Sequence, residues 1–121
     1  VKSIDIRNRT FKYALRAIKL FQHLRQKKDW SGWIIGEQYL KSATSIGANI
    51  EEAQSAESKL DFIHKMAIAQ KESRESLYWL KLLAESGMVP KNKLEPLIDE
   101  TEELISVITT IIVNSKKGIG R

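Results

Sequence analysis

The chain has 121 residues, 42% hydrophobic and 29% charged, with no cysteine and a formal net charge of +5. That length suits one domain over residues 1–121 with a modest core; the lack of thiols excludes disulfide scaffolds and zinc–thiolate sites and makes a cytoplasmic protein the default expectation. Charge is segregated: residues 1–30 carry nine Lys and Arg against Asp5 and Asp29, residues 31–115 carry eight against thirteen acids, and Lys116, Lys117 and Arg121 close the chain.

The first amphipathic stretch runs from about Thr10 to Lys27. Phe11, Ala14, Leu15, Ile18 and Phe21 form one apolar stripe at helical spacing, widened by Tyr13, Ala17, Leu20 and Leu24. Lys12, Arg16, Lys19 and His23 line the other side, and so wide an apolar arc implies packing against more than one neighbour. The segment before it, Val1 to Ile6, lacks the apolar core of a secretory signal.

Asp29-Trp-Ser-Gly32 breaks the period, with Ser31 placed to cap a second helix from near Trp33 to about Ala56. Small residues recur within it at Gly36, Ala43, Gly47 and Ala53, beside a polar row of Ser42, Ser45, Asn49 and Glu52. Such stripes let helix backbones approach closely, and the polar groups drawn into the contact then need hydrogen-bond partners. A third helix is expected from Ser58, which with Asp61 resembles a capping box, to Ser86, with Ala69, Ser73 and Ser76 as its own small stripe. Gly87 supplies a left-handed cap and Pro90 a stop. Asn92 with Glu95 can cap a fourth helix carrying Leu94, Leu97, Ile98, Thr101, Leu104, Ile105, Ile108, Ile111 and Ile112; Pro96 falls in its first turn, where the damage is limited. Its apolar run from Leu104 to Val113 is far shorter than the roughly 20 residues that span a bilayer, so no membrane partner is expected.

Joints of a few residues force consecutive helices to run antiparallel. The expected fold is therefore all-α, an up-down-up-down antiparallel four-helix bundle. The continuous three/four spacing of the last stretch outweighs the strand preference of its isoleucines.

Three segments together carry a family pattern: Ser42-Ala-Thr-Ser-Ile-Gly-Ala-Asn-Ile-Glu-Glu-Ala53, Ser58-Lys-Leu-Asp-Phe-Ile-His-Lys65 and Lys71-Glu-Ser-Arg-Glu-Ser-Leu-Tyr-Trp-Leu80. They resemble the four-helix-bundle proteins encoded in intervening sequences of bacterial 23S ribosomal RNA genes, and the resemblance extends over nearly the whole chain. It implies a homopentamer related to the accessory variability protein of diversity-generating retroelements, which is basic, binds nucleic acid and contacts a reverse transcriptase. Asn49, Glu52, Glu72, Glu75 and the pair Tyr78-Trp79 match recurrent positions of that family, none of them with a catalytic role.

No nucleophile or phosphate-binding loop accompanies the carboxylates, so no enzyme activity is expected. Glu52, Lys65, Lys71, Glu72 and Glu75 are candidates for an ion network between helices, or for ordinary solvated charge. Asp61 and His64 have the acid-x-x-His spacing of di-iron bundles, but the other histidine, His23, has Leu20 where the second acid would stand, so neither metal nor other cofactor is expected. Trp30, Trp33, Tyr39, Tyr78 and Trp79 suit packing in the core or at a subunit interface better than base stacking. The candidate nucleic-acid-binding residues are Arg9, Lys12, Arg16, Lys19, Arg25, Lys27 and Lys28, which would contact phosphate with little sequence readout. RNA is the expected partner, with self-association; the same charges would also serve a solvated face or an adaptor that docks a nucleic-acid-processing enzyme such as a reverse transcriptase.

Overall fold

A computed structural model of the chain describes residues 2–119, with side chains for residues 6–118. Four helices follow in order, α1 (Lys2–Arg25), α2 (Trp30–Gln54), α3 (Lys59–Glu85) and α4 (Lys91–Ile119). Each packs on the next in the chain, and α4 closes more sparsely back onto α1. This is the all-α up-down-up-down bundle that the spacing predicts. Arg121, counted with the basic tail, lies outside the described residues.

The joints follow the sequence with two corrections. Asp29, not Ser31, caps α2: its carboxylate accepts from the Gly32 amide at 3.3 Å and from the Ser31 hydroxyl at 2.6 Å, so α2 starts at Trp30. A carboxylate spans that reach better than a hydroxyl already inside the first turn, and it adds a favourable charge at the positive helix end. At α3 the expected cap forms, with the Asp61 amide donating to Ser58 Oγ at 3.0 Å and the Asp61 carboxylate accepting from the Glu57 amide at 3.3 Å. Gly87 takes the left-handed conformation, φ +79°, which its missing Cβ makes inexpensive. Asn92 does not cap α4, which already begins at Lys91; the Lys93 amide donates instead to the Pro90 carbonyl at 3.0 Å.

The largest correction concerns the face of α1. This helix begins at Lys2 rather than near Thr10, and its inward row is Ile6, Thr10, Tyr13, Ala17 and Leu24. Phe11, Leu15 and Ile18 of the expected main stripe turn outward, 65%, 47% and 39% exposed. The reason lies in the first two turns: lengthening the helix adds Ile6 to the Tyr13 arc and Arg7 to the Phe11 arc, which also contains Gln22 and Arg25. Burying the Tyr13 arc leaves one cation half-buried, Arg9, which Glu100 of α4 neutralises, whereas burying the Phe11 arc would desolvate Arg7, Gln22 and Arg25 together.

The small-residue stripe of α3 packs in the seam with α2, where Ser42 faces it, whereas the glycine stripe of α2 turns to α1, Gly36 against Leu24 and Gly47 against Thr10. Ala43, Ala69, Ser73 and Ser76 are fully buried, and Ser76 Oγ donates to Ser42 Oγ across the seam at 2.9 Å. Ser42 in turn donates to the Tyr39 carbonyl at 3.0 Å and Ser73 to the Ala69 carbonyl at 2.8 Å, which satisfies the hydroxyls that close approach draws inside. Between α1 and α4, Tyr13 Oη lies 2.6 Å from Thr101 Oγ1; Thr101 donates to the Leu97 carbonyl at 2.7 Å, so Tyr13 is the donor of that pair. Tyr39, fully buried with its ring edge-on to Tyr13, has a hydroxyl that makes no hydrogen bond among the described residues. Burial first, and then the Tyr13 hydroxyl, push its ionisation far above the usual phenol range.

Candidate nucleic-acid interface

The inward turn of Tyr13 and Ala17 fixes where the cations of α1 go. Lys12, Arg16, Lys19 and His23 recur at three- and four-residue spacing, all exposed, along the arc between the outward Phe11 row and the α4 side. Among the described residues Lys12, Arg16 and Lys19 form no salt bridge. A free cationic row of this kind is fit for phosphate: it has no carboxylate to release before it binds, and its charge falls within the reach of one ligand strand.

The other candidate cations are distributed differently. Arg9 reaches across to α4 and forks onto Glu100 through Nη2 at 2.7 Å and Nε at 3.1 Å, a half-buried pair that ties the two helices together. Arg25 lies with its guanidinium 4.3 Å from the centre of the Trp33 ring. Trp33 is held there because its indole N–H donates to the Leu24 and Lys27 carbonyls, at 3.0 and 2.8 Å, and so closes the end of α1. Lys27 donates to the Met88 carbonyl at 3.2 Å, and Lys28 is exposed in the joint. Lys116 and Lys117 sit in the last turns of α4, at the opposite end of the bundle from Lys27 and Lys28. Of the seven candidates, then, the structure brings Lys12, Arg16 and Lys19 together as an open row and gives Arg9, Arg25 and Lys27 intramolecular partners.

Two features escaped the sequence reading. Arg7 forks onto Glu51 of α2 at 3.0 and 3.1 Å, and through that contact the carboxyl is held below its usual range and the guanidinium raised above its own. Partners that lie 44 and 91 residues apart, as in Arg7–Glu51 and Arg9–Glu100, leave no periodic signal. The second feature is a cleft of about 270 Å³ where α1 and α4 diverge, lined by Arg16, Leu20, His23, Val89, Lys93, Leu94 and Leu97.

The expected ion network between helices reduces to one pair, Lys65 Nζ to Glu52 Oε1 at 2.9 Å. Glu75 accepts instead from the Trp79 indole at 3.1 Å. Glu72 is half-buried, and its carboxyl is raised by burial and then by Glu75, with Lys71 opposing. Separate helix positions and the competing indole donor explain why the five charges do not join. Of the aromatics expected to pack in the core or at a subunit interface, Tyr39 is in the core, whereas Trp30 and Tyr78 are exposed on the single chain, 69% and 57%. Asp61 is occupied at its helix cap and His64 is exposed; among the described residues no three His, Asp or Glu side chains are grouped to hold a metal ion, and no helix is long and apolar enough to cross a membrane.

Comparison with known proteins converges on one family. A family model described as 23S rRNA-intervening sequence protein matches residues 2–110. A crystal structure from Bacteroides thetaiotaomicron, of a protein with unknown function from the S23 ribosomal protein family, superposes with a TM-score of 0.86 at 33% identity, covering 93% of this chain and 98% of the other. No curated protein matches the chain.

Proposed function

The chain belongs to the 23S rRNA-intervening sequence protein family, and from that premise we propose that it is a non-enzymatic, cytoplasmic, self-associating bundle that binds RNA through the basic row of α1. The observation that carries this reading is the exposed row Lys12, Arg16 and Lys19, without salt bridges among the described residues, on a chain whose other three helices taken together are net acidic. Such a row gives affinity through phosphate and little sequence preference. Self-association is supported by the adjoining row Phe11, Leu15 and Ile18, apolar side chains exposed on consecutive turns, which a second copy would remove from water. A pentamer, the assembly that kinship with the retroelement accessory protein would imply, would let five copies of the basic row act together and multiply modest contacts into avidity.

The test is RNA binding by the wild type and by Lys12→Glu/Arg16→Glu/Lys19→Glu at two salt concentrations. Wild-type affinity falls steeply with salt, and the triple variant loses roughly 0.7 of logarithmic salt slope for each phosphate contact removed, about 2 in all, with unchanged helix content. Equal binding by the two proteins removes α1 from the site. A second reading is favoured by the same apolar row lying beside the cations, a combination suited to a protein surface: an adaptor that docks a nucleic-acid-processing enzyme, a reverse transcriptase if kinship with the retroelement accessory protein holds. It expects weak RNA binding by the wild type near physiological salt and loss of the protein partner in the triple variant.

A further inference from the structure

The cleft between α1 and α4 is distinct from the basic row yet shares Arg16 with it. Its existence follows from the packing. The two helices are pinned on one side by Arg9–Glu100 and Tyr13–Thr101, and at the far end by Lys27 on the Met88 carbonyl. Between these ties nothing large fills the gap, and about 270 Å³ stays open. Its floor is apolar: Val89, Leu94 and Leu97 are buried, and half-buried Leu20 faces them. Its rim is made of nitrogen donors, Arg16 and His23 from α1 and Lys93 from α4, and no carboxylate lines it. Neither Arg16 nor Lys93 has a salt-bridge partner among the described residues.

An apolar floor beneath a cationic rim selects a ligand with a flat, weakly polar body and an attached anion. Building on the RNA-binding reading, we infer that this cleft takes one unpaired nucleotide of a single-stranded segment, with its base against Leu20, the most exposed of the floor side chains, above Val89 and Leu94, and its phosphate between Arg16 and Lys93. The volume lies just under the range of about 300–1,000 Å³ usual for small-molecule pockets and suits one such unit. A paired base cannot enter, because in an A-form duplex it stays stacked and the phosphates alone face the protein, whereas a single strand can turn a base out. The basic row serves both forms of RNA; the cleft distinguishes them.

The test compares a labelled single-stranded RNA with a blunt duplex of equal length on the wild type, Lys93→Glu and Lys93→Arg, with adenosine monophosphate as a separate arm. Lys93 is exposed, and an acid in the first turn of a helix is favourable there, so Lys93→Glu keeps the fold. The wild type prefers the single strand by about tenfold. Lys93→Glu abolishes that preference while duplex binding changes less than about twofold, and Lys93→Arg retains it. In methyl-labelled protein, RNA and adenosine monophosphate shift the Leu20, Val89 and Leu94 methyl signals more than those of Ala48, exposed on α2 and outside the cleft lining. Equal binding of single strand and duplex by the wild type, or equal loss of both in Lys93→Glu, overturns the cleft assignment and leaves the basic row standing. Failure of the wild type to bind either RNA at low salt overturns both. A response to adenosine monophosphate without any single-strand preference assigns the cleft to a free nucleotide and overturns its role in RNA.

Discussion

The α2–α3 seam and the outer side of α1 are built from equally regular helices, yet they behave as opposites. In the seam, Ala69, Ser73 and Ser76 leave no exposed surface and Ser76 donates to Ser42. On α1, three large apolar side chains and three cations face solvent on neighbouring arcs. Close backbone approach in the seam places stability where no side chain can grow, and the outer face of α1 is free to vary because little of the fold depends on it. The difference teaches that helical periodicity alone does not distinguish a packing stripe from a recognition stripe; residue size and the company of charges do.

The sharpest way to break the comparison is to overfill the seam. Ala69→Leu inserts a branched side chain where no surface is exposed, and is expected to cost ~1–3 kcal/mol or more. Thermal unfolding reads this as a clear fall in Tm, and an unchanged Tm would mean the seam is slack. A smaller effect of opposite sign is expected from Tyr39→Phe. Removing a buried hydroxyl with no hydrogen bond spares its desolvation, so stability should rise by about 1 kcal/mol in urea unfolding. A loss would show that the hydroxyl is satisfied in solution. Smallest in its effect on the folded subunit is Phe11→Ser/Leu15→Ser/Ile18→Ser, since exposed substitutions are usually within ±0.5 kcal/mol each. Helix content by circular dichroism should hold while the mass by light scattering falls. If the mass of the wild type is already that of a single chain, the apolar row is not a self-association surface.

Helix number, the Ser58 cap, the Gly87 turn and the small-residue stripe of α3 were legible because each depends on residues within a few positions of one another. The direction in which α1 faces was not, because two apolar arcs compete on it and the choice turns on Ile6 and Arg7, beyond the point where the pattern first becomes obvious. Gly36 makes the same point: a Cβ there would stand 2.8 Å from Leu24 Cδ1, a restriction set by how α1 and α2 cross.

By itself the sequence determined an all-α chain, its four helices, the charge asymmetry of the first thirty residues and the family to which they belong. Tertiary structure decided which cations remain open. Arg9 and Arg25 are drawn to Glu100 and Trp33, whereas Lys12, Arg16 and Lys19 are left to solvent. It also decided that α1 and α4 part to leave a cleft. The physical reason is range: capping and periodicity act over one or two turns of a single helix, while ion pairing and packing gaps depend on residues brought together only when separate helices meet.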